Sequence, residues 1–124
     1  MKIGDIIYDL EQWAPLSLQE SYDNSGLIVG NMMWETNGVL VALDCLEEVV
    51  DEAIEKGTRL IVTHHPIVFN GLKRFNGSTY IERVIMKAIK NDIAIYSIHT
   101  NLDNVHWGVN AKIMELLGIQ NHSI

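Results

Sequence analysis

The sequence predicts an α/β fold, a mostly parallel sheet flanked by helices, on three observations. Short apolar runs of strand length recur at Leu27–Val29, Val39–Leu43, Leu60–Val62 and Ile93–Ile98. Stretches with apolar residues at helical spacing separate the last three of these runs. Most of the runs end in polar residues rather than in hydrophobic continuation. Strand, helix, strand, helix, strand is the order that builds a parallel sheet with helices on its faces.

The elements follow in order. Ile3, Ile6, Ile7, Leu10 and Trp13 share one side of a first helix, and Pro15 lies just past its end. Ser21-Tyr22-Asp23-Asn24-Ser25-Gly26 is turn chemistry, and the strand Leu27–Val29 closes at Gly30-Asn31. The strand Val39–Leu43 ends in Asp44. A helix follows from Glu47 to about Lys56, with acids in its first turn, where the helix dipole favours them, and Gly57 just past its end. Leu60–Val62 is the next strand. Residues 66–77 form a loop with breaks at Asn70-Gly71 and Asn76-Gly77. Ser78 or Thr79 caps a helix whose inner side carries Ile81, Val84, Ile85, Ala88 and Ile89. The strand Ile93–Ile98 delivers His99 to Asn104, and a last helix from about Gly108 to Leu117 stops at Gly118.

At 124 residues the chain has the length of a single domain, 1–124, and its 48% hydrophobic content suffices for a core. The net charge of −7, with no Lys/Arg cluster, argues against general electrostatic binding to nucleic acid. A lone cysteine, Cys45 between Leu43 and Leu46, excludes an internal disulfide framework and reads as a buried bystander. No signal peptide or membrane-length apolar run is present, so a cytoplasmic protein is expected. Trp13, Trp34 and Trp107 read as core or interface anchors, and His106 and His122 as surface residues.

The chemistry concentrates at Thr63-His64-His65-Pro66. Imidazole nitrogens must be satisfied if buried, and imidazole is the commonest metal ligand among side chains. Neighbours on a regular strand face opposite ways, but Pro66 favours an extended or turn conformation at His65 where the strand ends, so both rings can serve one cavity. Ligands in α/β sheets gather beyond the carboxyl ends of the strands. Pooling those ends gives Asp44, His64, His65, His99 and Asp103. Three imidazoles with two carboxylates suit Zn, Mn, Fe or Co better than Mg or Ca. A dinuclear site of this kind activates water for hydrolysis. Two members have a second reading: Asp44 as the N-cap of the helix that follows it, and His99 as a residue that donates to a carboxylate instead of binding metal.

Three segments resemble one family in the correct order. Tyr22-Asp23-Asn24-Ser25-Gly26-Leu27-Ile28-Val29-Gly30 is similar to its (W)DNxGLxxG segment. Thr63-His64-His65-Pro66-Ile67-Val68-Phe69 resembles its first ligand motif. Tyr96-Ser97-Ile98-His99-Thr100-Asn101-Leu102-Asp103, with Gly108-Val109-Asn110 after it, resembles the second. These mark the chain as resembling the NGG-interacting-factor-three-like proteins, the GTP cyclohydrolase I type 2 homologues, from Ile3 to about Gly118.

The resemblance implies that His64, His65 and Asp103 are metal ligands. His64 and His65 would hold different ions of a divalent pair, with Asp103 sharing one of them. It places Asp23 and Asn24 near the site and makes Gly26 and Gly30 backbone positions there. It further implies a two-part α/β architecture of which this chain is the N-terminal half, with a remaining His and Glu supplied by the other half. A homohexameric ring and a small, possibly nucleotide, substrate belong to the same expectation. So does its rival, a metal-binding assembly or regulatory protein without turnover. A half of this kind should expose an apolar face that favours self-association.

Overall fold

The computed structural model describes residues 1–120 and 123, so His122 lies outside the described residues. Four strands form one sheet: β1 (Gly26–Val29), β2 (Leu40–Ala42), β3 (Leu60–Thr63) and β4 (Ala94–Ser97), in the spatial order β1-β4-β3-β2. β2, β3 and β4 are mutually parallel, as the alternation of strands and helices predicts. β1 is the exception: it pairs antiparallel with β4 and carries an irregularity between Leu27 and Val29.

Side-chain alternation along β3 and β4 divides the core between the two faces of the sheet. Leu60, Val62, Ala94 and Tyr96 face α1 (Ile3–Trp13), meeting Ile3 and Ile7. Ile61 and Ile95 face α2 (Glu47–Lys56) and α3 (Tyr80–Lys90), meeting Val50, Ala53, Val84, Ile85 and Ala88. Each fully buried Ile or Leu stabilises the fold by roughly 1.5–3 kcal/mol relative to an exposed one. All four residues of β3 and of β4 are buried, which explains why these strands read as continuous apolar runs rather than as alternating ones. Arg83 Nε to Glu47 and Lys87 Nζ to Asp51, both at 2.8 Å, bridge α3 to α2 at the surface. Such exposed pairs contribute about 0–1 kcal/mol each.

Three helix ends follow the sequence signals. The Thr79 side chain accepts from the Glu82 N–H, and Gly57 and Gly118 close their helices in the left-handed region at φ 65° and 70°. The Glu82 carboxylate is pushed up by burial. Hydrogen bonds from the Ser78 and Asn76 backbones and the Ser78 and Thr79 side chains outweigh this and hold it below its ordinary range. Three elements differ from expectation. Leu16–Leu18 form a short 3-10 turn, Thr100–Asp103 form a one-turn helix α4, and Ile89 is exposed, outside the buried stripe of Val84, Ile85 and Ala88 on α3. The last helix, α5, spans Val109–Leu117 and exposes Ile113, Leu116 and Leu117. Cys45 is buried and Leu40 and Ala42 of β2 are half-buried, whereas Val41 and Leu43 face water. Trp34 is half-buried. Trp13 and Trp107 are exposed, with Trp13 Nε1 donating to the Trp107 carbonyl at 3.2 Å, so neither is a core residue of this chain. Among the described residues no helix is long and apolar enough to cross a membrane.

Candidate metal centre

Register decides where the polar residues meet. Gly26, Ser97, Thr63 and Ala42 stand side by side in one row across the sheet. β2, β3 and β4 are parallel, so their carboxyl ends leave the sheet together at this edge. β1 runs the other way, so its amino end leaves here as well. The edge therefore collects Asp44 after β2, His64 and His65 after β3, His99 after β4, and the Asp23-Asn24-Ser25 turn before β1.

The backbone of the His pair is held beyond the strand. The His64 N–H donates to the Ala42 carbonyl at 3.3 Å and the His65 N–H to the Leu43 carbonyl at 3.0 Å. The buried Thr63 hydroxyl donates to the His65 carbonyl at 3.0 Å and so accepts from the Ser97 hydroxyl at 3.1 Å. Freed from strict alternation, the two rings approach to 5.1 Å between centroids at 51°. His99 joins them, 5.1 Å from His64 and 5.5 Å from His65. One ligand atom from each of the three histidines lies within 4.8 Å of the others.

Each ring has its Nδ1 committed elsewhere. His64 Nδ1 meets the Ile98 carbonyl at 3.0 Å, His65 Nδ1 meets Asp44 Oδ1 at 2.8 Å, and His99 Nδ1 meets Asp23 Oδ1 at 2.9 Å. A carbonyl and an ionised carboxylate only accept, so each Nδ1 carries the proton. A neutral imidazole then has its lone pair on Nε2. Outer carbonyl and carboxylate partners of this kind orient metal-binding histidines and raise their basicity.

Asp23 is the anchor of the His99 arm. Its side chain is fully hidden. Oδ1 accepts from His99 Nδ1 and from the Asn24 N–H at 2.7 Å. Oδ2 accepts from Ser25 Oγ at 2.9 Å, the Thr100 N–H at 3.0 Å and the Thr100 hydroxyl. Burial pushes this carboxyl up, but the hydrogen bonds from Thr100, His99, Asn24 and Ser25 outweigh it and hold the group well below the carboxylate range. The charge that binds His99 is therefore permanent at neutral pH. Asn101, fully buried, accepts from the His99 N–H at 2.9 Å and donates to the Ala14 carbonyl at 2.7 Å, tying the same corner to the end of α1.

Of the residues expected from sequence, His64 and His65 lie in the cluster. Asp103, on α4 one turn after His99, meets it from the side, with Oδ1 3.7 Å from His64 Nε2. In the Nδ1–H form of His64 these are two acceptors facing each other, an arrangement that a shared cation stabilises. Asp44 does not cap α2: Leu46 holds the N-cap position without a side-chain bond, and the Asp44 carboxylate turns to His65 instead. His99 makes the carboxylate bond that one of its two readings expects, through Nδ1 to Asp23, and its ring stands beside those of His64 and His65. Sequence reasoning put Asp23 near the site but missed its bond to His99. The two are 76 residues apart and meet only because β1 is antiparallel.

The model of the Duf34/NIF3 (NGG1p interacting factor 3) family matches residues 1–124. The chain belongs to this family. It is 42% identical over 124 residues to a GTP cyclohydrolase 1 type 2 homolog of Clostridium acetobutylicum, covering all of this chain and 46% of that protein. A second such homolog, from Clostridium perfringens, is 47% identical over 118 residues, covering 95% of this chain and 45% of its own length. The chain thus spans about half the length of these curated relatives. Among solved structures, a Bacillus cereus protein related to NIF3 superposes with a TM-score of 0.93 at 43% identity, covering all of this chain and 34% of that one. The family assignment and the α/β fold expected from sequence both stand.

Proposed function

We propose that this chain is the N-terminal metal-binding half of a metal-dependent hydrolase that acts on a small substrate. The observation that supports this is the convergence of three histidines whose Nδ1 atoms are all engaged by outer partners. Convergent imidazoles with fixed tautomers are ligands in waiting, and the donor set fits a divalent transition ion. His64, His65 and Asp103 are the direct ligands, serving a pair of Zn, Mn, Fe or Co ions, and His99 with Asp23 borders the same site. When bound, such ions lower the pKa of water and polarise a phosphoryl or carbonyl oxygen. The relatives are named for GTP, which makes a nucleotide the first substrate class to test. On the same reading the full-length protein is a cytoplasmic homohexamer that takes no nucleic-acid or membrane partner.

A second reading keeps the metal and removes the turnover. The family description records a protein interaction, so a metal-bound assembly or regulatory role is its counterpart.

One experiment separates them. Metal content and GTP or phosphomonoester turnover are measured for the chain and a longer family member, each with and without a His64→Ala/His65→Ala pair. The hydrolase reading expects near-stoichiometric Zn, Mn, Fe or Co and turnover, both lost together in the double variant. Bound metal with equal background rates in both leaves the assembly role, and no metal uptake overturns both readings.

A further inference from the structure

Two large aromatic side chains beside the histidine cluster stay in water. Tyr22 is 64% exposed and Phe69 46%. Their ring centroids lie 6.3 Å apart at 40°, and Phe69 meets the edge of the His99 system at 6.4 Å and 78°. Aromatic rings bury well, and exposing two together forgoes that gain unless something else occupies their faces.

The backbone holds them where they are. Tyr22 directly precedes Asp23, whose carboxylate is fixed to His99 and Thr100. Phe69 directly follows Val68, whose carbonyl accepts from Asn24 Nδ2 at 2.7 Å. Asn24 thus stitches the loop that bears Phe69 to the turn that bears Tyr22, and Asp23 fastens that turn to the cluster. Neither ring needs to be recruited from a mobile loop when a ligand arrives, which lowers the ordering cost of binding.

We propose that Tyr22 and Phe69 form a stacking platform for the planar heteroaromatic ring of a small substrate, with the polar end of that molecule directed at His64, His65 and His99. The direction of the polar end rests on the metal-centre reading; the platform itself needs no metal. A flat π face is what such a pair selects, and it accepts any base-like ring. A saturated sugar phosphate reaches the histidines but gains nothing from the platform. The platform therefore supplies the preference for a ring, and the cluster supplies the preference for an anionic or carbonyl end.

The test uses the chain labelled at its aromatic side chains, titrated with guanosine 5′-monophosphate and with ribose 5-phosphate, each with and without Zn²⁺. Guanosine 5′-monophosphate is expected to shift the Tyr22 and Phe69 ring resonances in both conditions, and ribose 5-phosphate to leave them in place. Phe69→Leu and Tyr22→Leu keep apolar bulk at exposed positions and so spare the core. Each is expected to weaken the guanosine nucleotide about tenfold, the scale of one lost base–aromatic stack, while Zn²⁺ affinity and ribose 5-phosphate binding stay unchanged. Equal affinity for the two probes, or leucine variants that bind the nucleotide as well as the parent does, overturns the platform. Ring shifts without any Zn²⁺ uptake support the platform and remove the metal reading, so the two fail separately.

Discussion

Asp23 Oδ1 accepts from His99 Nδ1 at 2.9 Å, joining the turn before the antiparallel strand β1 to the residue that follows β4. Asp23→Asn tests how much rests on this link. An amide keeps one acceptor but turns the other position into a donor, so a donor must face His99 and Asn24 on one side or Ser25 and Thr100 on the other. The expected loss of stability is about 1–3 kcal/mol, the penalty for hidden donors left unmatched. Affinity for Zn²⁺ or Co²⁺ is expected to fall by about tenfold, the low end of the loss seen when the partner of a ligating histidine is removed, because His99 borders the proposed ligands His64 and His65 and loses its fixed orientation. Urea unfolding and a competition titration with a chelating dye read the two effects. An unchanged metal affinity in a folded variant would detach Asp23 from the site.

Thr63 and Ser97 form a buried hydroxyl pair directly beneath His65. Thr63→Val strands the Ser97 hydroxyl and frees the His65 carbonyl, at an expected cost of about 1–3 kcal/mol. Ser97→Ala removes the other partner but leaves the Thr63 bond to His65 intact, so it is expected to cost less. In the double variant Ser97 no longer has a hydroxyl to strand, so the combined loss should be smaller than the sum of the two. A double-mutant cycle by urea denaturation measures that coupling. Strict additivity would mean that the 3.1 Å contact carries no energy.

Cys45 gives a pH prediction with a definite sign. Burial pushes its thiol from 9.0 up to about 12. A group whose pKa rises on folding contributes stability that is complete below its unfolded value and is lost as pH climbs through the folded one. The fold is therefore expected to lose stability progressively between pH 9 and 12. Tyr96, raised by burial and by the nearby Glu11 carboxylate, adds to the same alkaline loss. Cys45→Ala should flatten part of this slope and leave the Tyr96 share. In the native protein at pH 8 the thiolate is scarce, so a disulfide reagent should label Cys45 only on unfolding. Rapid labelling of the folded chain at pH 8 would contradict its burial.

Much of the architecture was legible because its causes are local. Helical spacing from Ile3 to Trp13 and the acids opening at Glu47 gave the bounds of α1 and α2, and the polar residues after Val62 and Ile98 include the three histidines that cluster. What escaped is non-local. Nothing within residues 26–29 states that β1 pairs antiparallel with β4, yet that choice brings Asp23 to His99. Asp44 illustrates competition between uses of one side chain. Its position suits a helix cap, but a 2.8 Å bond to His65 across the parallel β2–β3 pair takes the carboxylate instead. Thr100–Asp103 form too short a helix to leave a periodic signal, although that one turn sets Asp103 above His99.

Gly30 shows how a motif glycine can be required by space as well as by conformation. It sits at φ +103°, and a Cβ there would come within 2.6 Å of the Ala94 Cβ and 2.8 Å of its Cα. Ala94 opens β4 and is itself fully buried, so the sheet backbone would have to yield. Gly57 is the natural control: it is also left-handed, at φ +65°, but no atom lies within 4 Å of its Cβ position. Gly57→Ala should cost only the conformational penalty, about 1–2 kcal/mol. Gly30→Ala should add overpacking of about 1–3 kcal/mol to a penalty of that kind. Urea midpoints at unchanged slope compare the two directly. If Gly30→Ala were no worse than Gly57→Ala, the close approach of β1's end to Ala94 would be soft, and the positive φ alone would explain the glycine.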